Sequence, residues 1–185
     1  MPTAKSESSK SLLQDQLLVF AGMAGACLLL FALWQSGFAV SFFRPAADDT
    51  AARLALAVRW LLLPALCLLV GIGTVANRRF FSADAIDGSR TPSSRSLEVN
   101  LRYNQNTLEQ VALASIAWLG LALALPRDQL SVIPALAIVF AAGRALFWIG
   151  YLISSWARAL GFALTFYPTV VAYVWLISRA LSARP

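Results

Sequence analysis

Five apolar runs, each about as long as a bilayer is thick, constrain this chain before anything else does. They lie at Leu17–Trp34, Ala51–Ala76, Glu98–Leu125 (polar for its first three turns and apolar beyond), Leu130–Trp156 and Leu160–Leu181. A helix needs roughly 20 residues to cross the hydrocarbon. In lipid the backbone must satisfy its own hydrogen bonds, so a single run of this kind reads as a spanning helix. Composition agrees: 59% of the 185 residues are hydrophobic and 13% are charged, against about 25% charged in a soluble domain. The expected fold class is an all-α membrane protein.

The segments between the runs are polar and short. Residues 1–16 are rich in Ser and Lys and read as a mobile tail outside the membrane. Residues 17–40 form a first transmembrane helix, retained rather than cleaved, because it is long and ends in Trp34 and an aromatic stretch through Phe43. Residues 51–182 form the main domain, with spans at about 51–76, 98–125, 130–156 and 160–181. Pro64, Pro134 and Pro168 read as kinks or turn positions.

The loops set an orientation. One side carries Lys5, Lys10, Arg78, Arg79, Arg90, Arg95 and Arg158, and the other carries Arg44, Arg127, Arg179 and Arg184. The positive-inside rule makes the first side cytoplasmic, together with the N-terminus. The expected setting is a bacterial inner (cytoplasmic) membrane.

The net charge of +6 does not point to nucleic acid, because the arginines gather at the ends of apolar runs. There is no histidine, which removes Ser-His-Asp chemistry and imidazole-ligated metals. Cys27 and Cys67 both lie inside apolar runs and read as buried spacers, so no metal site is expected. Gly71 and Gly73 have no preceding strand and read as helix contacts rather than a nucleotide loop. Arg59, inside the second span, reads as a snorkelling side chain or an inter-helix partner.

Polar residues inside membrane helices are costly and are the natural place to look for function. Arg102, Asn106 and Glu109 are spaced by four and then three residues. At 3.6 residues per turn they share one sector of about 60°. A cation, an amide and a carboxylate therefore line one stripe of the third span, flanked by Asn104 and Gln110. On the fourth span Arg144 and Tyr151 are seven apart, and Arg158 follows seven later at the turn into the fifth. The surplus of positive charge invites an anion. A purely structural role is open as well: Glu109 and Arg144 could form a buried ion pair, with Arg102 and Arg158 reaching the headgroups.

At these residues the chain resembles the MAPEG family, the membrane-associated proteins of eicosanoid and glutathione metabolism. The stretch EVNLRYNQNTLEQ, Glu98–Gln110, is similar to the family's R-x-x-x-N-x-x-E pattern through Arg102, Asn106 and Glu109. The stretch GRALFWIGYLISSWARALGF, Gly143–Phe162, is similar to its R-x-x-x-x-x-G-Y and R-x-x-G-F segments through Arg144, Gly150, Tyr151, Arg158, Gly161 and Phe162. The resemblance covers about residues 52–182. It implies a four-transmembrane-helix bundle, to which the first span is an N-terminal addition, assembled as a homotrimer.

The resemblance further implies glutathione, as substrate or cofactor, bound near the cytoplasmic side between neighbouring subunits. Arg102, Asn104, Asn106, Glu109 and Arg144 would bind it. Tyr151 would meet the thiol region, and Arg158 would activate the thiol. Arg78 or Arg79 could reach the same ligand. The implied activity is a glutathione-dependent transferase or peroxidase acting on lipophilic electrophiles from the bilayer. Two positions depart from characterised members: Phe147 and Gln110 stand where tyrosines occur. The alternatives are a non-catalytic MAPEG-like membrane protein, or a small transporter subunit with a continuous polar path.

Overall fold

The computed structural model describes residues 3–38, 49–81, 95–154 and 156–182, with side chains from residue 12 onward. It contains five long helices: α1 (Thr3–Gln35), α2 (Thr50–Phe80), α3 (Arg95–Ala124), α4 (Val132–Ile153) and α5 (Ala159–Ser182). All five carry stretches long and apolar enough to cross a membrane. Leu62, Leu66, Leu69, Ile72, Val171 and Val174 point outward from them, as side chains do when the surrounding solvent is hydrocarbon.

Most boundaries follow from local chemistry. Asp49 caps α2, its carboxylate accepting from the Ala52 N–H at 2.9 Å. Arg78 and Arg79 in the last turn of α2 oppose the negative end of its dipole. Pro126 stops α3, and the short 3-10 turn Arg127–Gln129 leads into α4. The exposed carbonyls at the end of α3 are met from α2: Arg53 donates to Leu125 O at 2.7 Å and to Ala122 O at 3.3 Å. Pro64 and Pro168 stay within continuous helices.

The structure corrects two boundaries. Helix α1 begins at Thr3, so most of the segment read as a mobile tail continues the first helix. Ser and Lys do not break a helix, and the apolar run behind them supplies a template to extend from. Helix α4 ends at Ile153, earlier than Trp156, where Ser154 becomes extended and its hydroxyl receives the Ala157 N–H at 3.3 Å. Of the arginines that set the expected orientation, Arg44, Arg90 and Arg184 lie outside the described residues.

Successive helices cross in alternating directions. The N-terminal ends of α1, α3 and α5 therefore share one end of the bundle, the near end, with the C-terminal ends of α2 and α4. The far end is filled by an apolar core that includes Ala114, Trp118, Leu121, Leu130, Ile133 and Phe140. The near end holds an aromatic cluster of Tyr103, Phe147 and Tyr151, with Val99, Trp148 and Phe162 against it. Helix α1 packs on α5 through small residues: Ala26 is fully buried there, and a Cβ on Gly22 would lie 3.2 Å from Ala159 Cβ.

Helices α4 and α5 approach until their backbones touch. A Cβ at Gly161 would overlap the backbone nitrogen of Phe147 and the carbonyl oxygen of Gly143. One at Gly150 would overlap the carbonyl oxygen of Ala157 in the turn. Only glycine fits at these crossings, and they hold the α4–α5 turn tightly against the end of α4. Replacing Gly161 by Val should push the helices apart and destabilise the bundle by about 3 kcal/mol or more, at the upper end of overpacking costs. Thermal unfolding in detergent should show a lower Tm for Gly161→Val, whereas Gly73→Val, where nothing lies within 4 Å of the added carbon, should leave it close to wild type.

Candidate functional site

The third helix places its polar stripe as its spacing predicts. Arg102, Gln105, Asn106 and Glu109 line one side of a cavity of about 480 Å³ at the near end of the bundle. Phe147 and Tyr151 of α4 and Ala159 and Phe162 of α5 supply further walls, with Arg158 from the turn between them. Val19 and Met23 of α1 line a further side, and the cavity stays open where Arg102, Gln105 and Glu109 are exposed. The volume lies within the range of about 300–1,000 Å³ typical of small-molecule sites. One wall is cationic and amide-rich, and the other is apolar.

Tyr151 is held by two arginines. Arg102 Nη1 donates to Tyr151 Oη at 3.2 Å, and the Arg158 guanidinium sits over the Tyr151 ring, 4.5 Å from its centroid. Because the phenolic oxygen accepts from Arg102, its own O–H remains available as a donor into the cavity. The other arm of Arg102 pairs with Glu98 one turn back, at 2.5 Å. Glu98 therefore helps aim Arg102. It lies outside the motif positions, and the sequence signal for this role is its i,i+4 spacing to Arg102. Gln105 was also missed: its amide donates to Glu109 Oε1 at 2.9 Å, again across one helical turn.

Arg144 does not meet Glu109. Its side chain is fully buried, and its Nη1 donates to Asn106 Oδ1 at 2.8 Å. Its guanidinium faces the Phe147 ring at 4.3 Å and the Tyr103 ring at 6.0 Å. Nε and Nη2 have no hydrogen-bond partner among the described residues. The ion pair considered from the sequence is thus replaced by a cation held on an amide oxygen and aromatic faces. Arg144 stands behind the cavity wall rather than in it. By taking Oδ1, it fixes the Asn106 amide so that its N–H₂ group is left to donate elsewhere.

Asn104 is directed away from the cavity lining. It sits against α2, where a Cβ on Gly71 would overlap its Oδ1. Gln110 is buried, and its Oε1 has no partner among the described residues. Arg59 is exposed on α2, and Arg78 donates to the Ser96 hydroxyl; neither lines the cavity. Of the seven candidate residues, Arg102, Asn106, Glu109, Tyr151 and Arg158 converge within one chain, whereas Asn104 and Arg144 do not line the cavity.

An aromatic framework backs the site. Tyr103 stacks on Trp148 at 4.8 Å and donates to Cys67 O at 3.3 Å, tying α3 to α4 and α2. Trp148 Nε1 donates to Asn100 Oδ1 at 2.9 Å. These bonds satisfy polar groups that would otherwise be stranded in an apolar interior.

The Arg144–Asn106 bond generates an ordering of stabilities. Asn106→Leu leaves a buried guanidinium without its oxygen and should lower the Tm strongly. Arg144→Met removes the buried charge as well and should cost less. The double variant should recover part of the Asn106→Leu loss, with a coupling of about 1–3 kcal/mol in a thermal double-mutant cycle.

Comparison with known proteins adds a lineage. The model of the MAPEG family matches residues 17–178, so the match reaches into α1 and through the four helices behind it. Transmembrane protein 79 of Mus musculus is 26% identical over 91 residues, covering 49% of this chain and 23% of that protein. The chain thus spans about a quarter of the length of that relative. No solved structure matches.

Proposed function

The chain belongs to the MAPEG family, and on that premise we propose that it is an integral membrane glutathione-dependent transferase or peroxidase acting on lipophilic electrophiles. The observation that carries the reading is the cavity in which Arg102, Asn106, Glu109, Tyr151 and Arg158 face apolar walls. Glutathione has two carboxylates, an ammonium group, two amides and a thiol. Arg102 and the Asn106 amide suit a carboxylate and the peptide backbone, and Glu109 suits the ammonium group.

Bound there, glutathione supplies the sulfur nucleophile. A free thiol titrates near a pKa of about 8.5, and neighbouring cations lower it. Arg158 supplies a permanent positive charge and cannot itself act as a base. The proton therefore leaves to water, and Arg158 with the Tyr151 hydroxyl stabilises the anion left behind. The apolar side chains of Phe147, Phe162, Val19 and Met23 line the opposite side and suit a co-substrate drawn from lipid. The expected assembly is a homotrimer, with the near end of the bundle in the cytoplasm.

A non-catalytic member of the family is the second reading. It is favoured by Phe147, whose ring lines the cavity and faces Arg144 without offering a hydroxyl. A transporter fits less well, because an apolar core fills the far end of the bundle.

Calorimetry on the detergent-solubilised protein separates these readings. Wild type should bind glutathione, and Arg102→Ala should weaken binding about tenfold to a hundredfold, the loss of one charge-assisted contact. Arg158→Ala should retain most of the binding. The ultraviolet absorbance of the bound thiolate should then appear only as pH approaches about 8.5. No binding at millimolar glutathione would sink the transferase reading.

A further inference from the structure

Helix α1 does more than flank the bundle. Val19 and Met23 line the main cavity, and the same two residues, with Phe20, Asp15 and Gln16, line a second compartment, a shallow open groove of about 370 Å³. Trp156 and Arg158 complete that compartment from the α4–α5 turn. Arg158, Val19 and Met23 are therefore shared between the two spaces. The seam with α5 through Gly22, Gly25 and Ala26 holds α1 in place. Phe20 and Trp156 are exposed, so the second compartment is open on the outer surface of the bundle beside apolar side chains.

We propose that the space beneath α1 is the binding compartment for the lipophilic co-substrate, and that it takes an uncharged lipophile bearing one hydrogen-bond-accepting oxygen. This rests on the function proposed above. Four of the lining side chains, Val19, Phe20, Met23 and Trp156, offer apolar or aromatic surface for a hydrocarbon body. Arg158, at the junction with the thiol side, is the donor for a carbonyl or peroxide oxygen and draws electron density from the atom under attack. Asp15 lines the same compartment, so the guanidinium is not the sole charge there. An anionic lipophile would meet a carboxylate as well as a cation, and a neutral one avoids that repulsion. Met23, at the boundary of the two spaces, sets how bulky the ligand may be.

The test uses the full chain in lipid nanodiscs and two photoprobes. One is a medium-chain alkyl ketone carrying a diazirine, and the other is the carboxylate with the same chain and diazirine. Cross-links are mapped by peptide mass. The ketone should label residues 12–26 and 154–162 in wild type, and Met23→Trp should reduce that labelling at least about fivefold by filling the compartment. Asp15→Asn should raise labelling by the carboxylate relative to the ketone. Labelling spread evenly over the lipid-facing helices, or a wild-type preference for the carboxylate, would overturn the proposal. The wild-type map decides this even if a variant fails to fold. Localised labelling without glutathione binding keeps the compartment and removes the transferase reading. Glutathione binding without localised labelling does the reverse.

Discussion

A guanidinium inside a bilayer depends on protein for its partners, and Arg144 is held by one amide oxygen and two aromatic faces, with Nε and Nη2 left without a hydrogen-bond partner among the described residues. Placing an arginine at the centre of a membrane helix costs about 2.5–3.5 kcal/mol even on insertion scales. The fold therefore has to bring Asn106 of α3 into register with α4. Once that register is set, the rest of the stripe follows by helical geometry. Arg102 lies one turn towards the near end, level with Tyr151, and Glu109 lies on the same face. The charge behind the cavity thus positions the polar groups that line it.

The second constraint is steric. Gly143, Gly150 and Gly161 let α4 and its turn into α5 approach to backbone contact. That proximity brings Arg158 over the ring of Tyr151, although the two residues are on opposite sides of a helix end. A longer or looser turn would leave Arg158 free to reach the membrane surface, where an arginine stem readily snorkels. The same three glycines recur in the stretch whose motif resembles the family's. In this chain they are explained by contact between helices rather than by backbone conformation.

Much of this was legible in the sequence, because membrane helices are written in long apolar runs and their functional residues stand out against them. The five spans and the sector shared by Arg102, Asn106 and Glu109 needed only length and period. Other features were not legible, for definite reasons. Period alone does not say which partner a buried arginine takes, so Arg144 with Glu109 and Arg144 with Asn106 were equally consistent with spacing. Asn104 lies two residues from Arg102, and its placement against Gly71 depends on how closely α2 approaches α3. Glu98 and Gln105 stand outside the R-x-x-x-N-x-x-E positions, and only their i,i+4 spacing to Arg102 and Glu109 marks them. Val19 and Met23 could not be assigned to the site, because nothing in an apolar helix reveals which neighbour it leans on.

The placement of Val19 and Met23 matters most for how the cavity would work. Its polar wall is built from α3 and the end of α4, and its apolar wall borrows two side chains from α1. A ligand with charged ends finds partners only on the first, and a hydrocarbon finds them on the second. The two walls meet at Tyr151 and Arg158, where a hydroxyl and a guanidinium are already oriented by Arg102 and by the glycine-packed turn. Preorganised donors of this kind cost little to reorient when charge develops between them. A reaction between a water-soluble nucleophile and a lipid-borne partner needs both walls and the junction between them. Helix α1 is then part of the site's architecture, because Val19 and Met23 are its contribution to the apolar side of the cavity.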